Sequence, residues 1–416
     1  MTLKERLKNP YTVLAIVFIY TIAFAFIVDT PQNIFDGIIA IIESPDVLLT
    51  DYVAVGGVGA TLVNSALVCL LIIGFLKLNK VQPIGSTVMA IWTVAGFAFF
   101  GKNILNIWPI IIGVWLCALI RKVPYSKYAA MSMLSTAMSP IVSKVFFQEF
   151  LPFPISFIAA VFVGVLAGLI VAPIAENATL SHHGYNLYHI GFTSGLIAII
   201  MRAVFLSAGF DIAPVLYWSS ESFTIMLIYT SIACVMLILI GLYTGSGHKK
   251  KLPELISRSG RLASDYYTDY GETCYINMGA LGIIAIIISS IVSMNINGPI
   301  AGGIFTIVGF GAFGLHLKNA GMVLVGLLFG FILVNMVAPN ETAILAVLFG
   351  TCLAPVAGSF GFKWGVAAGI LHVFVATNIT DIHGGMNLYS NGLAGGLIIM
   401  FFIPLVRAIA GHEGKA

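Results

Sequence analysis

The chain has 416 residues, 59% hydrophobic and only 9% charged, with a formal net charge of +3. A soluble domain carries about 25% charged residues, so this composition excludes a water-soluble globule and makes lipid the solvent for most of the chain. The small net charge gives no reason to expect a nucleic-acid partner.

Apolar runs of roughly 17–25 residues, each long enough to cross about 30 Å of hydrocarbon as a helix, recur from end to end. The first, 11–28, is long for the core of a signal peptide and lacks a small-residue cleavage site, so it reads as a retained helix. The others fall at 53–76, 84–101, 104–120, 128–148, 155–175, 190–207, 222–244, 275–294, 299–314, 320–337, 342–359, 364–377 and 391–406. The prediction is an all-α polytopic membrane protein with about 14 transmembrane or re-entrant segments. Whether 84–120 and 299–337 cross fully or re-enter is left open. Cys69, Cys117, Cys234, Cys274 and Cys352 are scattered, with neither metal-ligand nor disulfide spacing.

Alternating through the segments from a cytoplasmic N-terminus puts all Lys and Arg but Lys102, Lys144 and Arg202 on one face or its edge. The largest cluster is Lys249, Lys250, Lys251, Arg258 and Arg261. The first loop of the opposite face, 29–51, has five acids and no base. By the positive-inside rule both termini are expected in the cytoplasm of a cell whose inner membrane holds the chain. Arg202 reads as a snorkelling residue or a partner for Glu176 or Asp211.

The polar stretch "NATLSHHGYNLYHIGFTSGL" at 177–196 returns as "NITDIHGGMNLYSNGLAGGL" at 378–397, with ten of twenty positions identical. Weaker echoes follow the same order: "TDY" at 50–52 and 268–270, "PI" at 83–84 and 299–300, "KN" at 102–103 and 318–319, and Pro140 with Pro355. The chain therefore reads as an internal duplication, with a first repeat at 1–210 and a second at 211–416 that includes a basic linker, 246–274. Seven segments per repeat is an odd number, so the second enters from the opposite face. Inverted repeats of this kind are a feature of secondary transporters and some channels.

Each polar copy leads into a Gly-x-x-x-Gly that permits close helix contact in lipid, and polar non-helical backbone at membrane depth survives only when buried in protein or lining a wet cavity. The expected solute ligands are Asn177, Thr179, His182, Asn186 and Tyr188 with their counterparts Asn378, Thr380, His383, Asn387 and Tyr389. The competing reading makes these ordinary turns and interfacial anchors. Lys102 with Asn103, and Lys318 with Asn319, form a second candidate pair. Each lysine either attracts an anionic group, pairs with Asp51 or Asp269, or snorkels to the interface. Pro83 and Pro299 open segments, and free N–H groups there would suit a polar or anionic solute. Pro140 and Pro355 should break their helices. His182, His183, His383 and Asp381 lack metal-ligand spacing on one helix, so no metal and no cofactor is expected. A histidine titrating near neutrality fits proton coupling better.

With the repeated NxTxxHxGxNLYxxGxxxGL in place, the chain resembles an internally duplicated bacterial multipass family known only as a domain of unknown function. The seven-plus-seven count is also similar to that of nucleobase and anion carriers, whose third and tenth helices begin at the binding site; that likeness is one of architecture alone. The expected function is a secondary transporter of a small polar, neutral or anionic solute, with a passive channel for a urea-like molecule as the alternative. Enzymatic activity is not expected, because catalytic groups usually cluster asymmetrically. Expected partners are the solute, a coupling proton or ion, membrane lipid and further copies of the chain in a homo-oligomer.

Overall fold

A backbone in hydrocarbon must satisfy its own N–H and C=O groups, which drives the apolar runs into helices. The computed structural model describes residues 2–147, 152–210, 212–261 and 265–410. Its helices are α1 (Leu3–Arg6), α2 (Pro10–Val28), α3 (Pro31–Glu43), α4 (Tyr52–Leu78), α5 (Gly85–Phe97), α6 (Trp108–Ile120), α7 (Ala129–Ser135), α8 (Ser139–Phe146), α9 (Ile155–His182) and α10 (His189–Ser207), followed by α11 (Phe223–Thr244), α12 (His248–Ser257), α13 (Tyr266–Tyr270), α14 (Thr273–Val292), α15 (Gly298–Phe310), α16 (Leu317–Val337), α17 (Ala343–Phe349), α18 (Ala354–Phe360), α19 (Phe362–Ala376) and α20 (Ser390–Ala410).

Each expected apolar segment contains helix, but the helices are unequal. Among the described residues nine spans are long and apolar enough to cross a membrane: α2, α4, α9, α10, α11, α14, α16, the α17–α18 run and α20. The apolar helices α5, α6 and α15 have 13 residues each. At 1.5 Å per residue they reach about 20 Å, short of the roughly 30 Å hydrocarbon core.

The centre of the molecule is the crossing of α5 and α15. All of α15, and all of α5 but Ser86, is buried. A Cβ at Gly96 would lie 2.5 Å from the Gly302 carbonyl oxygen, and one at Gly309 would lie 2.8 Å from that of Met89. The contacts advance along one helix as they retreat along the other, so the pair is antiparallel. Glycine at these contacts lets the backbones approach.

Pro140 and Pro355 interrupt their segments as expected. A 3-10 turn over 136–138 separates α7 from α8, another over 350–353 separates α17 from α18, and each proline sits in the first turn after its break. A missing N–H costs nothing there. Pro83 and Pro299 are not equivalent, since Pro299 lies inside the first turn of α15 whereas α5 begins after Pro83, with Ile84 as its N-cap.

Hydrogen bonds correct the register of two other echoes. The Asn64 amide donates to the carbonyls of Ala98 (2.8 Å) and Lys102 (2.9 Å), and Asn277 donates to those of Gly311 (2.8 Å) and Leu315 (2.9 Å). Asn106 accepts from the Asn103 N–H and donates to the Gly101 carbonyl, while Asn319 accepts from the His316 N–H and donates to that of Gly314. Lys102 is thus matched by Leu315 and Asn103 by His316, three residues from the "KN" at 318–319. Likewise the Tyr52 N–H bonds the Phe99 carbonyl as the Tyr266 N–H bonds that of Ala312, so Asp51 is matched by Asp265 rather than Asp269. Two- and three-letter identities carry too little information to fix a register that backbone bonding fixes tightly.

Candidate functional site

The two polar motifs meet each other. The Asn186 amide donates to the Gly392 carbonyl at 3.0 Å, and the Asn387 amide donates to the Gly191 carbonyl at 3.3 Å. Each asparagine oxygen accepts the N–H of the tyrosine two residues on. A Cβ on Gly191 would stand 3.1 Å from the Gly392 Cα. The backbone continues the exchange, with the Leu187 N–H on the Cys352 carbonyl and the Leu388 N–H on that of Ala137. Asp51 accepts from the Gly298 N–H at the start of α15, while Asp265 accepts from the N–H groups of Gly85 and Ser86 at the start of α5. Contacts that reciprocate in this way are what a two-fold relation produces. They also fill the helix N-termini expected to face a solute with the protein's own carboxylates.

Aromatic rings fill the middle of this seam. Tyr188 and Tyr389 lie 4.6 Å apart between centroids, Tyr188 packs on Phe310 at 4.7 Å, and Tyr389 packs edge-on against Phe97 at 4.9 Å. All four are buried. Phe97 is stacked on Phe349, with centroids 5.5 Å apart and planes 13° apart.

Phe349 and Phe100 form part of the wall of a cavity of about 1020 Å³. Non-helical backbone at 48–49 and 214–216 contributes to one side, held by Leu49 N–H to the Val215 carbonyl (2.6 Å) and Tyr217 N–H to the Leu49 carbonyl (2.9 Å). The ends of α16 and α19 contribute much of the rest. The polar lining is uncharged except for Glu341: Asn340, Thr342, Thr377, Asn378, Thr380, Ser390 and Asn391. His372 Nε2 donates to the Asn391 oxygen at 3.0 Å, which leaves the Asn391 amide hydrogens for the cavity. His383 Nε2 donates to Ser390 Oγ at 3.2 Å, and Ser390 is 3.3 Å from the Thr380 hydroxyl.

The matching positions of the first polar motif carry different groups. Where the cavity has Thr377, the motif register gives Glu176, which takes Arg121 in an ion pair at 2.7 Å and the Tyr128 hydroxyl at 3.1 Å. Where the cavity has Ser390, the register gives His189. His182 Nε2 meets His189 Nδ1 at 2.7 Å, and His189 Nε2 meets the Thr179 hydroxyl at 3.1 Å.

The predicted site residues therefore separate. Asn378 and Thr380 line the cavity. Asn186, Tyr188, Asn387 and Tyr389 are buried in the seam, and His182 and His383 are buried beside it. Asn177 is exposed, its amide bonded to the Pro173 carbonyl. Asn103 and Asn319 are buried loop pins: Asn103 donates to Asp46, and Asn319 donates to the carbonyls of Gly314 and Ser259. Lys318 is exposed, whereas Lys102 is fully buried with no partner for Nζ. Neither lysine is paired with Asp51 or Asp269. Arg202 donates to the Asp381 carbonyl at 2.7 Å and not to Glu176; Asp211 lies outside the described residues. Sequence reasoning missed His189, Phe97, Phe349 and Asn391, and Arg121 entered it only among the bases gathered on one face. A search for identities between repeats passes over positions where the repeats differ, and His189 against Ser390 is such a position.

The model of a family described as a protein of unknown function (DUF1576) matches residues 30–207 and 244–408. No curated protein matches the chain, and no solved structure does.

Proposed function

The chain belongs to the DUF1576 family, and from its geometry we propose that it is a secondary transporter of a small, polar, uncharged solute, working by alternating access. In this reading residues 1–210 and 211–416 are inverted repeats in the bacterial inner membrane, with both termini and the 246–274 linker cytoplasmic. The fourteen segments then comprise full crossings together with short helices paired at the centre. The loops around the cavity fall on the non-cytoplasmic face, and the Arg121–Glu176 bridge falls on the cytoplasmic one.

One observation carries the proposal. The cavity reaches Phe349, which stacks on the aromatic seam between the halves, whereas the matching positions of the first motif carry the Arg121–Glu176 ion pair with Tyr128. A carrier needs one site that opens to either side in turn, and two related halves in unequal states supply it. A passive channel needs a continuous wet path, and the buried ring stack behind the cavity wall favours the carrier. The lining contains no Lys, Arg or His, so an uncharged solute fits better than an anion. Amide and hydroxyl groups would bind its polar atoms without holding it too tightly to leave, and apolar walls would cover the rest.

The test starts from purified protein and a thermal-shift screen against a library of small neutral metabolites. A stabilising compound is expected, with its shift abolished in Asn391→Ala and halved or better in Thr380→Val. The same compound should show saturable uptake and counterflow in proteoliposomes. Uptake that rises linearly with concentration and lacks counterflow would favour the channel.

A further inference from the structure

We infer that Lys102 takes up and releases the proton that drives transport, one proton per cycle; this deepens the carrier reading and rests on it. Lys102 lies in the non-helical stretch between α5 and α6, at the end of the central helix. Its side chain is fully buried, and Nζ has neither a hydrogen-bond partner nor an ion pair. An ammonium held in that way is strongly disfavoured, because only the face of one phenyl ring stands in for the water it has lost. The amine is therefore neutral in the state described, with its lone pair free. On protonation a third N–H bond forms at Nζ as one O–H bond of a hydronium ion breaks, leaving water; release to the other side is the reverse.

The groups that face it do not neutralise it. From α4 comes Cys69, whose Sγ is directed at the Ile91 carbonyl at 3.7 Å. Asp46, which holds the neighbouring Asn103, is itself taken by Ser44, Tyr52, Asn103, Asn106 and Ser143 and makes no ion pair with the amine. The fold does not require an amine here either, since the matching position in the second half is Leu315, fully buried. A lysine kept where leucine packs, with no partner, calls for a role outside packing.

The link to the cavity is short. Nζ sits over the Phe97 ring, 4.9 Å from its centroid, and Phe97 is stacked on Phe349 of the cavity wall. Two rings separate the amine from the solute space. Any motion that opens the seam to let solute through must shift that stack and hydrate the amine. Solute passage and protonation then share one moving part, which is what obligatory coupling requires. Only one half carries the lysine, which sets the count at one proton.

The proton itself serves as the probe. Proteoliposomes adsorbed on a solid-supported membrane, given a jump from pH 8 to pH 6 without solute, should produce a transient charge displacement absent from protein-free vesicles. Lys102→Leu and Lys102→Met, checked for wild-type elution and melting, should lose at least nine-tenths of it. A wild-type chain without a transient, or folded variants that keep it, would overturn the inference. Phe349→Ala, which leaves the lysine in place and removes its outer cover, should speed the transient severalfold. An unchanged rate would break the link to the cavity even if the Lys102 variants fail to fold. Any of these failures leaves the carrier reading standing on counterflow and sidedness, which are measured separately.

Discussion

Asn186 and Asn387 have the chemistry of solute ligands and the position of a seam. Each donates one amide hydrogen to a carbonyl of the other half, and its oxygen accepts from its own following turn. Truncation to alanine leaves a buried carbonyl and a buried N–H without partners, and each unsatisfied group costs about 1–3 kcal/mol. Asn186→Ala and Asn387→Ala are therefore expected to lower the melting temperature of the purified protein before they alter solute affinity. Retained stability with lost ligand binding would return these amides to the solute path. Repetition marked these residues as constrained, and the constraint is contact between the copies, which no single-chain pattern distinguishes from a ligand contact. His189 and Asn391 were illegible for the opposite reason, because one copy differs from the other there.

The elements show how loops are held at depth. The stretch before α16 is fastened to the basic linker through His316, whose Nε2 donates to the Arg258 carbonyl at 2.8 Å while Nδ1 accepts the Asn319 N–H at 3.3 Å. Both nitrogens are used in the neutral form, and burial holds the His316 pKa below its ordinary value. The unfolded chain thus binds this proton more readily than the folded one. The stability His316 contributes is complete above the ordinary histidine pKa of about 6.5 and drains away as pH falls through the lowered folded value. Thermal melts between pH 7 and pH 5 should show this loss, with a shallower slope in His316→Asn, which installs the residue found at the matching position, Asn103. A slope unchanged by the substitution would assign the acid sensitivity elsewhere. Helices were legible from apolar run length and the breaks from proline. The shortness of α5 and α15 was not, because 84–101 and 299–314 stay apolar through the non-helical ends that close around Lys102 and His316.

At the scale of the whole molecule, sidedness is the decisive property. Single cysteines at Gln32 and Lys250, both exposed, should be labelled by an impermeant maleimide from opposite faces, with Asn378→Cys in the cavity labelled from the Gln32 side. Same-side labelling of Gln32 and Lys250 would end the inverted arrangement. Composition alone determined that the chain lives in lipid, and an identity of ten positions in twenty alone marked a duplication. Both follow from local chemistry: how apolar a run is, and how alike two runs are. Only the tertiary structure decided that the two motifs bind each other, that Lys102 faces Leu315 in the register, and that a cavity adjoins the second motif where the first carries an ion pair. Those facts depend on which distant segments come within a few ångströms, and a seam between two related halves has no signature in either half read separately.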